Sequence, residues 1–547
     1  MALNYAQTGV EGVKIVEGVP REYGGILTPF FFTTLRDLER MKRQNRQALL
    51  QRRVEEQARY DRGELPQYDP ATRDIRESQW KVRHQIRPDI KWRYSESVSP
   101  ISIPSRLIRG FEAITKDGTN DEGSYRALYY GDNEDAEAPS FPNLLKGQRN
   151  LMLAIRKELV LPGYPEIKEV PPVIYRPRGL HLPEVHILVD DEPVSATNFD
   201  LTLFYLSNFE TLNANGSGPN IYFPKLEYHP EAKHVAGINQ FLEGTTSQLP
   251  GFIDTSLIIE TAPALVNMHE FAWELSDWVS AYSFGRYDLM FHMTKTFAQH
   301  PNRVFPDDRE ITMETPFLVT DQAAFVDACY MRGIYPQGGM EQGVPQRDPQ
   351  RNQQVLDAIV AGTDGEIRKK MVGKWSLHPV AVPLIRDRFE EALGGRPTFD
   401  DYQPQGLLPP PEELFAIPQG RNTYEDVVRE AGYTHRYFTE WLRGTGAVQL
   451  DEKMHDAATA ERGRGKNWTR LRHHVKLTDT EETLDTVVMQ RAILEAEART
   501  RAELGDSPEL EIVTQLLREG LLSDDYGEHM ISRAYPHLVE LSKGRWG

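Results

Sequence analysis

The chain is poor in cysteine, in long apolar runs and in basic charge, and each shortage excludes a class of protein. One cysteine, Cys329, occurs in 547 residues, which leaves no internal disulfide and no thiolate metal site. That usage fits a reducing compartment, and a cytoplasmic location is expected. No apolar run approaches the about 20 residues of a membrane span. The opening Met-Ala-Leu-Asn-Tyr-Ala-Gln lacks the apolar core of a signal peptide, and the closing Lys-Gly-Arg-Trp-Gly is not a peroxisomal address of the Ser-Lys-Leu type. Lys and Arg number 63 against 81 Asp and Glu, a formal charge of −18, which argues against a phosphate-backbone partner. A local basic pocket for a phosphorylated cofactor stays compatible with that balance. No internal repeat is visible. Neither nucleic acid nor membrane is expected as a partner, and homo-oligomerisation stays open.

What is present is a sizeable core, 39% hydrophobic with 10% aromatic residues, in a chain too long for one ordinary domain. From about Leu35 to Arg62 the pattern is charged, helix-forming and only partly amphipathic, as expected for a surface helix clasping a larger body. A polar stretch that reads as loop follows to about Tyr129. From there to about His378, strand-like runs alternate with helical patterns, which predicts parallel βα units. Val-Ile-Tyr at 173–175, Ile-Tyr-Phe-Pro-Lys at 221–225, Ser-Leu-Ile-Ile-Glu at 256–260 and Leu-Met-Phe at 289–291 are such runs. A Pro-rich segment from Gln403 to Pro418 reads as a linker, and helical patterns such as Val487 to Leu504 follow. The expected architecture is α/β: a (β/α)₈ TIM barrel over 96–400, an N-terminal helical clasp over 1–95, a linker over 401–420 and an all-α cap over 421–547.

Two carboxylates stand out. Glu260 closes Leu-Ile-Ile-Glu-Thr-Ala-Pro, and Asp288 lies in Phe-Gly-Arg-Tyr-Asp-Leu-Met-Phe. A carboxylate beside an apolar run is costly without a partner. In a (β/α)₈ barrel, site residues come from the C-terminal ends of several strands. Two carboxylates converging on one mouth would repel unless a cation lay between them, and a few oxygen ligands suit Mg²⁺. Read as isolated residues, both are also compatible with unrelated helix starts.

The chain resembles the A-type malate synthases along nearly its whole length. The resemblance is carried in order by Ile-Arg-Glu-Ser-Gln-Trp-Lys-Val-Arg at 75–83, Asp132-Asn-Glu-Asp135, Arg176-Pro-Arg-Gly-Leu-His-Leu-Pro-Glu184 and Gly-Pro-Asn-Ile-Tyr-Phe-Pro-Lys225. It continues through Ile-Glu260-Thr-Ala-Pro-Ala, Phe-Gly285-Arg-Tyr-Asp288, Gln-Gly-Gly-Met340 and His455-Asp456-Ala-Ala-Thr-Ala-Glu461. It implies Mg²⁺-dependent condensation of acetyl-CoA with glyoxylate, followed by hydrolysis of malyl-CoA to malate and CoA.

By resemblance Asp456 matches the catalytic base and Arg176 the arginine that stabilises the enolate. Glu260 and Asp288 match the Mg²⁺ ligands, and Glu134 and Asp135 an acidic pair behind them. Gly285, Arg286 and Tyr287 match the turn whose backbone N–H groups would face the glyoxylate carboxylate. Taken alone, Asp456 before Ala-Ala-Thr-Ala-Glu reads as a helix N-cap, Arg178 as a salt-bridge arginine, and Asp132 as a solvated acidic residue.

The chain departs from the family in places. The metal turn usually reads Gly-Leu-Asn-x-Gly-Arg-Trp-Asp-Tyr; here it is Ala281-Tyr-Ser-Phe-Gly-Arg-Tyr-Asp-Leu289. Val372-Gly-Lys-Trp-Ser-Leu-His-Pro-Val380 looks more like malyl-CoA lyases and citrate lyase β-subunits, and Lys374 and Pro379 within it are candidates for contact with CoA. His455 stands where the family usually has Glu. Two further readings follow: an acyl-CoA condensing enzyme or lyase using another 2-oxo acid or acyl-CoA, and a silent member serving as a binding or scaffold subunit.

Overall fold

The computed structural model describes residues 3–527 and 529–546. Eight parallel strands close into a barrel: β1 (Ser95–Pro100), β2 (Ala127–Asp132), β3 (Val173–Arg176), β4 (Asn220–Phe223), β5 (Asp254–Ile259), β6 (Val279–Phe284), β7 (Tyr335–Glu341) and β8 (Gly373–Ser376). Closure is made by β8 against β1, with Lys374, Trp375 and Ser376 opposite Ser95, Glu96 and Ser97. Helices including His229–Thr245, Pro316–Arg332 and Ala381–Leu393 form the outer ring. Inward-facing Val98, Leu128, Tyr130, Ile174, Tyr222, Ile258 and Trp375 fill the barrel as one apolar cluster. Beneath it Arg93 bonds Glu96, Ser256 and Ser280, which keeps a buried charge paired.

The stretch read as polar loop up to Tyr129 holds β1, a helix over Pro104–Thr115 and the start of β2. Ser-Glu-Ser-Val-Ser-Pro carries little apolar signal: of its residues Val98 joins the apolar filling, Glu96 pairs with Arg93 at the floor, and Ser99 bonds Tyr129. Leu289–Phe291, read as strand, lies inside the helix Arg286–Thr296; a run of three apolar residues does not separate strand from buried helix. The true strand lies just before it, Val279–Phe284.

The long N-terminal helix runs over Pro29–Tyr60, capped by Thr28 accepting from Phe31 N–H. Its arginines fasten it to the barrel. Arg53 pairs with Glu231 through two bonds and donates to Lys225 O at 2.8 Å. This region is not purely helical: Tyr5–Gln7 and Val13–Val16 join the hairpin Pro183–Val189/Glu192–Ser195 in a four-stranded antiparallel sheet. The C-terminal region likewise carries a hairpin, Val448–Leu450 with Lys453–His455, among its helices Tyr424–Leu442, Ala457–Arg472, Thr486–Leu504, Pro508–Leu522 and Met530–Leu541.

The Pro-rich segment is pinned down rather than free. Asp327 accepts from Gln405 N–H at 2.6 Å and Leu407 N–H at 2.7 Å, Tyr68 donates to Pro409 O at 3.1 Å, and Phe415 packs on Phe297. No helix among the described residues is long and apolar enough to cross a membrane.

Candidate active site at the barrel mouth

The C-terminal ends of the strands converge on one acidic mouth. Asp132 ends β2, Arg176 ends β3, Lys225 follows β4 by two residues, Glu260 directly follows β5, and Asp288 sits in the first helical turn after β6. Asp456 arrives from outside the barrel, as N-cap of the helix Ala457–Arg472, its Oδ1 accepting from Thr459 N–H. Asp135, Arg176, Glu260, Gly285, Arg286, Tyr287, Asp288, Lys374 and Asp456 line one cavity of about 500 Å³.

Arg176 is held by a carboxylate fork. Its Nε donates to Asp132 Oδ1 at 2.7 Å, Nη2 bonds the other Asp132 oxygen, and Nη1 lies 3.1 Å from Asp135 Oδ2 and 3.2 Å from Glu134 Oε2. Its guanidinium packs over the Tyr130 and Trp375 rings. Asp132 is therefore not a solvated turn residue. It is buried, it fixes the plane of Arg176, and it caps its own loop by accepting from Glu134 and Ala136 N–H. Arg178 is the salt-bridge arginine: it makes a bidentate pair with Asp200 and a bond to Glu184 at 2.9 Å, engaging all three of its nitrogens.

Lys225 is the residue that sequence reasoning passed over. Its backbone is left-handed, with φ 55°, which for a non-glycine residue marks a conformation imposed by its surroundings. Its N–H donates to Glu260 Oε1 at 2.7 Å, while Nζ reaches Asp135 Oδ2 at 2.9 Å, Glu134 Oε2 at 3.0 Å and Asp288 Oδ1 at 3.3 Å. Its signal was present in the sequence, a lysine just beyond a strand end, but nothing in composition or spacing distinguishes it from a solvated lysine.

Charge at the mouth is lopsided. Six buried carboxyls, Asp132, Glu134, Asp135, Glu260, Asp288 and Asp456, meet two cations that bond this group directly, Arg176 and Lys225. The excess shows in the protonation equilibria. Burial and the neighbouring Asp288 push Glu260 well up. Burial, against the pull of Lys225, lifts Asp288 to about 6. Burial, with Asp135 and Asp288 nearby, lifts Asp456 to about 7. Asp135 goes the other way despite its burial, held down to about 2 by Lys225 and Arg176. Glu260 and Asp288 line the same cavity and both meet Lys225, one at its N–H and the other at its Nζ, so their oxygens suit one hard cation. Among the described residues no group of three or more such ligands is assembled; two carboxylates leave coordination positions for small oxygen ligands.

Gly285 is where only glycine fits: a Cβ there would fall 2.7 Å from Glu260 Cβ and 2.9 Å from its Oε2. Its own N–H bonds Ile259 O in the barrel, so it does not face a substrate as the resemblance implied. The first intrahelical bond beyond it runs from Leu289 N–H to Gly285 O. The N–H groups of Arg286, Tyr287 and Asp288 therefore form the open helix start at the cavity wall. Tyr287 donates to Gln342 Oε1 at 2.5 Å.

The CoA assignments fit less well. Lys374 lies on β8, buried, with Nζ 3.2 Å from Glu341 Oε2 and 3.7 Å from Glu366 Oε1; a phosphate there would meet two carboxylates. Pro379 lies past β8, outside the cavity lining.

A closed parallel barrel whose acidic mouth is roofed by a helical domain carrying an inserted carboxyl defines the class of protein: a multidomain (β/α)₈ barrel protein with a built polar site. Family models place it further. The malate synthase N-terminal domain matches residues 11–74, the malate synthase TIM-barrel domain 172–405 and the malate synthase C-terminal domain 421–538. The glyoxysomal malate synthase of Zea mays is 32% identical over 509 residues, covering 90% of this chain and 89% of that protein. The malate synthase of Oryza sativa subsp. japonica is 32% identical over 512 residues, covering 90% and 88%. A solved structure, the Haloferax volcanii malate synthase pyruvate/acetyl-CoA ternary complex, is 16% identical with a TM-score of 0.45, covering 78% of this chain and 100% of that one. The chain belongs to the malate synthase family.

Proposed function

We propose that this chain condenses acetyl-CoA with glyoxylate in a Mg²⁺-dependent Claisen reaction and hydrolyses the malyl-CoA formed, releasing malate and CoA. The observation that carries the reading is the delivery of Asp456 from the helical domain into the cavity that Arg176, Glu260 and Asp288 line.

Glu260 and Asp288 would hold Mg²⁺. Their hard oxygens, their place on one cavity and the carboxylate excess around them fit a divalent cation. Bound there, the ion supplies Lewis-acid polarisation of the aldehyde. The remaining work belongs to the chain. Asp456 accepts a proton from the thioester methyl carbon, and its burial raises its basicity toward what that task needs. Arg176 stays protonated and stabilises the enolate oxygen, its plane set by Asp132. The free N–H groups at the helix start Arg286–Asp288 suit the acceptor's carboxylate. The capping bond from Thr459 N–H keeps the base in place and, because it favours the charged form, holds its affinity for protons within a usable range.

Gly285, Arg286 and Tyr287 on the acceptor side, and Glu134 and Asp135 behind the metal ligands, complete the proposed site. Thiol release from acetyl-CoA with glyoxylate, with and without Mg²⁺, tests the reading. Release that is glyoxylate-dependent and abolished by a chelator is expected; no release with Mg²⁺ present refutes it.

A further inference from the structure

A second, smaller cavity adjoins the mouth. Its volume is about 20 Å³, which is room for one water molecule. Asp135, Asp288 and Ala458 line it and also line the large cavity, so the two are separated by a single layer of side chains. The chamber lies where the barrel meets the helical domain. His181 comes from the loop after β3, Trp441 from the helix Tyr424–Leu442, and His529 immediately precedes the helix Met530–Leu541.

Three aromatic rings around this chamber carry nitrogens without partners. His181 and His529 stack with their centroids 5.2 Å apart, and no described residue makes a hydrogen bond to either imidazole. His181 Nδ1 is itself buried. Trp441 is 1% exposed, and its indole N–H likewise meets no acceptor among the described residues. Enclosed polar groups are almost always hydrogen-bonded, and a tryptophan N–H in particular finds a partner. Three that do not, gathered around one water-sized space, supply the two to four polar contacts that hold an internal water. A neutral imidazole offers one donor and one acceptor, and the indole offers a donor, so a water among them is fixed in orientation as well as in place.

We propose that this chamber holds the water that hydrolyses malyl-CoA, with His181 and His529 as its positioning residues. The inference rests on the condensation reading above, in which water is needed only after the carbon–carbon bond has formed. An enolate that meets water takes a proton from it and reverts to acetyl-CoA, so a closed site protects the first step. One water kept behind Asp135 and Asp288 keeps the two steps apart. Ala458 of the shared wall is in the first turn of the helix that Asp456 caps, which puts that wall beside the base. In the hydrolysis the water oxygen bonds to the thioester carbonyl carbon and the carbon–sulfur bond breaks. One of the water's protons ends on the departing CoA sulfur, and the other leaves as the new carboxylic acid ionises.

The test supplies malyl-CoA with Mg²⁺ and compares its two fates: hydrolysis, read as free CoA, and reverse cleavage, read as acetyl-CoA and glyoxylate. Only the first consumes water. His181→Phe and, separately, His529→Phe should lower the ratio of CoA to acetyl-CoA by about tenfold or more, since misplacing a reactant by about 1 Å costs up to about 10²-fold, with reverse cleavage close to wild type. His181→Asn, which keeps a polar group near the Nδ1 position, should restore most of the ratio. An unchanged ratio in both phenylalanine variants, or an equal fall in both fates, overturns the proposal. So does a high-resolution density map of the wild-type enzyme with no ordered water among His181, His529 and Trp441. A wild-type enzyme that processes malyl-CoA in neither direction defeats the condensation reading and this one with it.

Discussion

Two buried charge clusters in this molecule differ in balance, and the difference separates a working site from a scaffold. Where the C-terminal domain meets a barrel loop, Asp307, Asp308, Asp426 and Glu430 face Arg429, Arg462, Lys466 and Arg470, four against four, with ion pairs linking every member. At the barrel mouth six carboxyls share two cations. Balanced charge of this kind ties the loop at 307–310 to two helices and leaves little for a ligand to do. Lopsided charge costs the folded protein stability, and a bound cation removes that cost. Asp308 shows the contrast: against partial desolvation it is held well below the usual carboxylate range by Arg462 and Lys466, whereas the buried Asp456 rises to about 7.

If the comparison holds, substitutions at the mouth should hurt turnover and those in the balanced cluster should hurt stability. The largest effect is expected for Asp456→Asn, which keeps the N-cap and the shape but not the base. Turnover should fall by on the order of 10²-fold or more with the melting temperature and CoA binding retained; near-normal turnover would mean another group takes the proton. Next comes the pair of arginines two residues apart. Arg176→Lys should cost turnover on the order of 10²-fold, while Arg178→Lys should lower the melting temperature and leave turnover per folded molecule close to wild type. The reverse outcome would place the oxyanion at Arg178.

In the balanced cluster, Lys466→Met leaves Asp308 and Asp426 short of a partner and should destabilise by about 3 kcal/mol, read by denaturant unfolding; an unchanged midpoint would show that the cluster contributes nothing net. The smallest effect is a pH dependence. Asp456 in the folded protein binds its proton more tightly than an unfolded aspartate does, so its unfavourable contribution is absent below pH about 4 and grows as pH rises through 7. In chelator, Asp456→Asn should therefore melt higher than wild type at pH 8, by about 2 °C, with the gap closing toward pH 5. A gap that widens on acidification would contradict the sign.

Legibility from sequence followed the same division. Glu260 and Asp288 stood out beside apolar runs, Arg176 and Asp456 only through the family resemblance, and the structure gathers all four at one cavity. Strands rich in apolar residues, such as Asp254–Ile259, announced themselves. The strand Ser95–Pro100 did not, because Val98 is its one apolar side chain in the barrel filling while Glu96 and Ser99 make polar bonds, and Leu289–Phe291 misled because three apolar residues suit a buried helix equally well. Asp132 and Lys225 were out of reach for a different reason. Their importance lies in what they touch across the barrel, 44 residues from Asp132 to Arg176 and 91 from Glu134 to Lys225, and such contacts leave no local periodicity. The two hairpins at the chain's margins and in the C-terminal domain are too short to register against the helical patterns around them.

The Pro-rich segment before the C-terminal domain carries one more consequence. A door needs a hinge, and here the place for a hinge is stitched down by Asp327 on one side and by Tyr68 and Phe297 on the other. The segment is held from two sides, and in this structure Asp456 already stands at the mouth. The helix Pro349–Arg368 gives Ala358, Gly362 and Gly365 to the cavity wall, so larger side chains at those positions would narrow the cavity on that side.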